Sequence, residues 1–387
     1  MKFFKINKNI FWLSIASFLN DLSSEMIIPI LPLFLKSLGA GSIAIGFVGG
    51  ARDGLANILK FFGGYLSDKI GKKKIFLFWG YSISNIFKLL LAFSSSWTSA
   101  LICSTSERIG KGIRTAPSDS IISQSMPNQR GKGFGFHRAF DTAGAIFGSL
   151  CALLLFWIWG LSFKFIIFIA AMISFLSLIP LKFVSEPEVE KRPANFKFFV
   201  NLSKELKLFI FISTVFAFAN FSYMFFILKA QTFLISTGIV SEQLSFAIVM
   251  LLYVLYNVFY SFFAYPLGIF ADKIGQKKIL IWGYLIFSLT ALLTIIAKSI
   301  IAFVLVFVLY GIFCAIVNSN QRAMVSNLAS KGSQASALGL FHTIVGLATL
   351  AGSVFAGVLW SFSPQIPFVF ATIVSLFAAI LLSFLKV

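Results

Sequence analysis

Charge is scarce in this sequence, and acidic charge is scarcer still. Only 12% of its 387 residues are charged, and 13 Asp and Glu stand against 32 Lys and Arg. A soluble chain carries about a quarter charged residues, so a water-facing globular protein is excluded. Cysteine is nearly missing: Cys103, Cys151 and Cys314 lie in apolar runs and share no motif. That excludes a disulfide framework and makes them small core residues. With two histidines, no Cys/His cluster, no H-E-x-x-H and no G-x-S-x-G, the usual residues for zinc or serine hydrolysis are missing. No P-loop occurs either, so ATP does not drive the protein directly. Met1 to Lys8 is a short basic lead into a full-length apolar run without a small-residue cleavage site, so no cleavable signal peptide is expected.

What the chain has in excess is apolar sequence. Hydrophobic residues make up 58%, and phenylalanine alone fills 49 positions. A membrane span needs about twenty apolar residues, and twelve such segments are expected. They are 10–37, 42–66, 75–95, 98–125, 133–157 and 163–183, then 206–233, 244–270, 279–297, 301–328, 335–360 and 365–385. The one long hydrophilic stretch, Val184 to Lys207, reads as a linker. The expected organisation is an all-α membrane protein: a six-helix bundle over 1–183, a cytoplasmic linker over 184–207 and a second six-helix bundle over 208–387. The net charge of +19 invites a nucleic-acid partner. However, the lysines cluster in short loops between apolar runs, where the positive-inside rule places them. With the N-terminus inside, cytoplasmic segments hold 20 Lys or Arg and the opposite face three, Lys36, Lys164 and Lys298. Both termini are therefore expected in the cytoplasm.

A motif repeats between the halves. Gly64-Tyr65-Leu66-Ser67-Asp68-Lys69-Ile70-Gly71-Lys72-Lys73-Lys74 returns about two hundred residues later as Gly268-Ile269-Phe270-Ala271-Asp272-Lys273-Ile274-Gly275-Gln276-Lys277-Lys278. Trp79-Gly80-Tyr81 returns as Trp282-Gly283-Tyr284, and Phe18-Leu19-Asn20 as Phe218-Ala219-Asn220. His137 and His342 fall at equivalent places as well. Such repetition in a hydrophobic chain implies two related halves. Within the motif, Gly71 permits a positive-φ turn, Asp68 can cap a helix or meet a cation, and the lysines anchor the loop.

The pattern G-x-x-x-D-K-x-G-x-K-K resembles the loop 2–3 signature of the major facilitator superfamily, with its second copy in loop 8–9. Arg108-Ile109-Gly110-Lys111-Gly112 resembles that superfamily's span-four R-x-G-x-G motif. With Arg130 to Arg138 it is similar to a poorly characterised bacterial branch. The run Gly144-Ala145-Ile146-Phe147-Gly148-Ser149 lacks the Gly-Pro of the antiporter-type motif. The resemblance implies a secondary transporter working by alternating access in the inner membrane, with gating residues Gly64, Asp68, Gly71, Lys72, Gly268, Asp272 and Gly275. It further implies that Asp68 acts with a span-four cation and the start of span eleven.

Ionisable groups at mid-membrane cost several kcal/mol unless paired or hydrated, so each calls for a reason. They crowd into the first half: Asp21, Glu25, Arg52, Asp53, Lys60, Lys88, Glu107, Arg108, Lys111, Arg114, Asp119, Arg138 and Asp141. The spans of the second half contain Lys229 and Arg322 but no carboxylate. Helical spacing puts Asp21 and Glu25 on one face. Gly46, Gly50 and Gly54 form a small-residue stripe suited to close packing. The candidate substrate set is Asn20, Glu25, Arg52, Lys111, Arg114, Asn220, Tyr223, Tyr256, Asn257 and Asn318. The candidate proton-coupling set is Asp21, Glu25, Asp53, Arg108, Asp119, Arg138 and Asp141. A plainer role competes with these: salt bridges joining Asp141 to Arg138 and Glu107 to a span-four cation. The excess of cations points to an anionic or carboxylate-bearing solute. Multidrug efflux, uniport, a membrane-embedded enzyme and a transport-dead sensor are the competing readings. The expected partners are that solute, a proton or other coupling ion and the bilayer, with no nucleic acid, cofactor or metal, for a chain acting as a monomer. Cysteines placed at Ser67 and Ala271, in a background without native cysteines, should resist impermeant thiol reagents in intact cells. Ready labelling from outside would reverse the topology.

Overall fold

The protein is described as a computed structural model covering residues 6–126, 130–186, 202–238, 240–329 and 334–385. All regular structure among these residues is helical. The first eight helices are α1 (Lys8–Ile27), α2 (Leu31–Ser37), α3 (Ser42–Ile70), α4 (Lys73–Ala92), α5 (Trp97–Ser125), α6 (Arg130–Trp157), α7 (Phe163–Leu176) and α8 (Leu178–Leu181). Seven follow: α9 (Lys204–Ala219), α10 (Met224–Ser236), α11 (Glu242–Ile274), α12 (Gln276–Ile296), α13 (Ile300–Leu328), α14 (Gln334–Phe362) and α15 (Ile366–Phe384).

Three expected spans are each built from two pieces. Pro29 and Pro32 interrupt the first, because proline lacks an N–H and its ring clashes with the preceding turn. α1 and α2 meet there at a bend of 42°. Pro180 sits in the short α8, which follows a break from α7 at Ser177. The third break, at 220–223 between α9 and α10, contains no proline. Its freed amides find side chains instead, Ser222 N donating to Ser353 Oγ at 3.1 Å and Met224 N to Ser222 Oγ at 3.4 Å. Away from water, irregular backbone needs such internal partners.

Among the described residues, nine helices are long and apolar enough to cross a membrane, or ten if the bent α1–α2 pair counts as one span. The remaining two expected spans are α3 and α5, each 29 residues long. At 1.5 Å per residue they reach about 43 Å. Their charges, Arg52, Asp53 and Lys60 in α3 and Glu107 to Arg114 in α5, keep them out of an apolar count.

The chain forms two compact units, Met1–Gly39 with Leu55–Asn195, and Ala40–Gly54 with Phe196–Val387. In the first, glycines let backbones touch. A Cβ added at Gly148 of α6 would lie 2.2 Å from the Leu22 carbonyl oxygen of α1, and one at Gly110 of α5 would lie 2.3 Å from the Gly80 carbonyl oxygen of α4. Beside these contacts Ile10, Leu13, Leu77, Tyr81, Ile121 and Ile122 form a buried core. The second unit repeats the device, with Gly352 of α14 against the Phe218 carbonyl of α9. Its small-residue stripe explains why the first half of α3 belongs to it. Gly46, Gly50 and Gly54 pack on Ser353, Leu350 and Gly346 of α14, and Ser42 Oγ donates to the Gly357 carbonyl at 2.9 Å.

The repeated loops are shorter than their motifs. α3 runs to Ile70, Gly71 turns with φ +74°, and α4 begins at Lys73. In the second copy Gly275 turns at φ +93° between α11 and α12. Asp68 and Asp272 therefore sit in final helical turns, and their side chains lie outside the described residues. Lys72 offers no side-chain cap to α4, and Glu186 takes that place. Its two carboxylate oxygens accept from Lys73 N at 2.6 Å and Lys74 N at 2.9 Å. Ser185 and Asn9 exchange hydrogen bonds of 2.9 and 3.2 Å, so the chain leaving the first bundle is tied to both α1 and α4. Most of the expected linker, residues 187–201, lies outside the described residues. Glu186→Ala should cost about 1 kcal/mol, as lost helix caps do. The same variant should speed hydrogen exchange at the Lys73 and Lys74 amides. Unchanged exchange there would mean the carboxylate does not cap α4.

Candidate functional site

The first unit gathers its charges on the facing sides of α1, α4, α5 and α6. Lys88 of α4 is 1% exposed. Its ammonium donates to the Asn20 carbonyl, Asn20 Oδ1 and Ser23 Oγ at 3.1, 3.2 and 3.2 Å, all on α1. Three N–H donors thus meet three neutral oxygens. Arg114 of α5 is buried as well. Its Nη1 donates to Ser84 Oγ at 2.8 Å, and its guanidinium carbon stands 4.2 Å from the centre of the Tyr81 ring, a cation–π arrangement. Neither cation has a carboxylate within ion-pair distance among the described residues. The close Gly80–Gly110 contact between α4 and α5 brings Arg114 to this position.

Several other charges of this unit are paired. Lys111 meets Asp21 at 3.5 Å, joining α5 to α1. Glu107 and Arg108 meet at 3.3 Å, so the expected Glu107 pair forms with its own neighbour. Asp141 is shared: Ser17 Oγ donates at 2.5 Å, His137 Nδ1 lies at 3.4 Å and Arg138 Nη1 at 4.0 Å. Arg138 is the most distant of the three and its side chain is 60% exposed. The carboxylate stands between hydroxyl and imidazole, an order in which the imidazole cannot take the hydroxyl proton as a nucleophile requires. Glu25 is half-buried, and Asp119 is exposed on α5.

The second unit is aromatic where the first is charged. Tyr223, Tyr253, Tyr256 and Tyr310 form a chain of ring contacts with centroids 5.7, 5.4 and 5.3 Å apart. Tyr260 stacks on Tyr256 at 6.2 Å. Asn257 is buried, Asn220 caps the C-terminus of α9, and Asn318 is exposed. Arg52 is buried within this unit and Asp53 half-buried. Deeper in the unit, Gln321 Nε2 donates to Tyr284 OH at 2.9 Å while Tyr284 stacks on Phe216 at 3.8 Å.

Lys88 stands in the sequence as one more intramembrane charge without a role, and His137 only as the counterpart of His342 in the repeat. The signal for Lys88 was present: a lysine deep in α4, well past Lys73 and Lys74 at its start, with no carboxylate one turn away on its own helix. Its oxygens come from α1, which spacing along one helix does not reveal.

A profile of the Major Facilitator Superfamily matches residues 13–239 and 210–387. An uncharacterized MFS-type transporter of Methanocaldococcus jannaschii is 50% identical over 383 residues, covering 98% of this chain and 96% of that one. The quinolone resistance protein NorA of Staphylococcus aureus is 29% identical over 144 residues, 37% of either chain. The crystal structure of a mutant of the nucleoside transporter NupG superposes with a TM-score of 0.81 at 17% identity. That match covers 97% of this chain and 98% of the other, a likeness of fold.

Lys88 and Asn20 give opposite expectations on substitution. Lys88→Met removes a buried charge whose partners are neutral, and should cost under about 1 kcal/mol. Asn20→Leu leaves the ammonium in place and takes an acceptor away, which should cost about 1–3 kcal/mol. Thermal unfolding of the purified protein in detergent compares them. Equal losses would contradict a lysine held at the expense of its neighbours.

Proposed function

The chain belongs to the major facilitator superfamily, and on that premise we propose that it is a proton-coupled carrier of an anionic or carboxylate-bearing solute. A multi-pass membrane protein of this family is a secondary transporter, driven by gradients and not by ATP. The observation that supports an anionic cargo is the pair of buried cations, Lys88 and Arg114, which have only neutral partners among the described residues. A buried cation whose direct contacts are all neutral keeps charge that an arriving anion would pair with. In this reading Asn20, Lys111 and Arg114 of the first unit recognise the solute. Asn220, Tyr223, Tyr256, Asn257, Asn318 and Arg52 are the contributions of the second.

Proton coupling is assigned to the carboxylates Asp21, Glu25, Asp53, Asp119 and Asp141, with Glu25 first, and Arg108 and Arg138 set their fields. Exchange of Lys111 between Asp21 and an arriving anion would link the two events, because an ion pair is given up when a stronger partner enters. The glycines of the repeated loops allow the turns there, and Asp68, Lys72 and Asp272 carry the gate. The protein works in the cytoplasmic membrane with both termini inside, as a monomer of two six-span halves joined by the 184–207 segment. A second reading, efflux of planar aromatic compounds, is favoured by the tyrosine chain of the second unit and by the partial likeness to NorA.

Proteoliposomes test the coupling. Glu25→Gln should abolish accumulation driven by an imposed proton gradient while leaving exchange of the solute intact, and Asp53→Asn is the comparison. Arg114→Gln should weaken binding of an anionic solute about tenfold, the equivalent of one charge-assisted hydrogen bond. If both carboxamide variants accumulate solute normally, coupling by these acids is wrong.

A further inference from the structure

The first unit has a cleft of about 330 Å³ lined by Lys72, Lys74, Ile75, Phe78, Trp79 and Glu186. Its two ends differ in chemistry. At one end are Lys72, exposed and with no hydrogen bond to another described residue, and Lys74, which gives one of its N–H groups to the Lys182 carbonyl at 3.1 Å. The single carboxylate there, Glu186, has each oxygen engaged by an amide of α4. Glu186 makes no ion pair with either lysine among the described residues, and two cations against one carboxylate leave this end with a net positive charge. At the other end Ile75, Phe78 and Trp79 are 47%, 47% and 58% exposed. The same face of α4 continues through Ile86, Leu90 and Phe93, all exposed. In a membrane protein such a face is covered by lipid chains, and tryptophan marks the headgroup level.

We propose that this cleft is a binding site for one anionic membrane lipid. Its headgroup phosphate lies between Lys72 and Lys74, and its hydrocarbon chain runs along Ile75, Phe78 and Trp79. A free phosphate would use the lysines and leave the apolar wall bare. A zwitterionic lipid would use the wall and gain little from two cations. Each lysine near a headgroup contributes about 1 kcal/mol of attraction. The site adjoins the turn at Gly71 and the Glu186 clasp, so an occupied cleft would brace the start of α4. The proposal rests on the membrane reading alone and is independent of the solute.

The internal repeat supplies the control. α12 carries Lys277, Lys278 and Trp282 after the same turn, but the uncharged Gln276 stands where the first copy has Lys72, and Lys277 Nζ is engaged by the Leu385 carbonyl at 2.5 Å. Native mass spectrometry of the full-length protein, with added phosphatidylglycerol or phosphatidylcholine, measures retained lipid. The wild type should hold one phosphatidylglycerol at least about fivefold more tightly than phosphatidylcholine. Lys74→Gln should remove that preference, and Trp79→Ala should weaken retention of both lipids. Lys278→Gln and Trp282→Ala should change neither. Three results would overturn the proposal: no preference in the wild type, an equal loss in the α12 variants, or displacement by inorganic phosphate at the lipid's own concentration. Lys74→Gln alters one exposed end of a side chain, so its result does not hinge on folding.

Discussion

An ammonium ion taken out of water must be surrounded by oxygen, and Lys88 meets that demand through α1 alone. The carbonyl of Asn20, its amide oxygen and the Ser23 hydroxyl converge on one nitrogen. This fixes how α1 and α4 face one another in the first unit. α5 is then placed by two further contacts, Lys111 with Asp21 and Arg114 with Ser84 and Tyr81. The Arg114 contact sits where Gly80 and Gly110 let α4 and α5 approach closely, while Lys88 and Lys111 reach α1 by the length of their side chains, and the glycines Gly144 and Gly148 bring α6 against α1. The charges and the glycines are parts of one solution: helices pack closely enough for polar side chains to satisfy one another away from water.

The two units share packing but differ in chemistry. Both place a glycine of a late helix, Gly148 or Gly352, on a carbonyl of their first helix, and both break the span that helix begins. A glycine with positive φ turns the chain in each copy of the signature loop. The first unit then fills its interior with ions and the second with tyrosine. A duplicated fold keeps the glycine contacts that close packing needs and lets the chemistry of the interior diverge.

Much of this was legible in sequence. Length of apolar run and the return of G-x-x-x-D-K-x-G set the span pattern, and the Gly46, Gly50, Gly54 stripe announced a close contact. The partner of that stripe, α14, was not legible, since period along one helix says nothing of which helix lies opposite. The break at 220–223 was hidden for a related reason: without proline, it depends on Ser353 from a distant helix to receive the Ser222 amide. Asp141 was paired in advance with Arg138, three residues away, whereas its nearer partners are Ser17 and His137. Ser17 is on another helix, beyond the reach of spacing.

The central claim is that the first unit holds two buried cations, Lys88 and Arg114, whose direct contacts are neutral and which have no carboxylate at ion-pair distance among the described residues. The most direct test is the charge class of the small molecules that stabilise the purified wild-type protein. Thermal unfolding in detergent against polycarboxylates, phosphorylated metabolites and lipophilic cations reads that class without knowledge of the solute. The account predicts stabilisation by at least one anionic class, lost in Arg114→Gln, and none by the cations. Stabilisation by lipophilic cations, with no response to any anion, would contradict it.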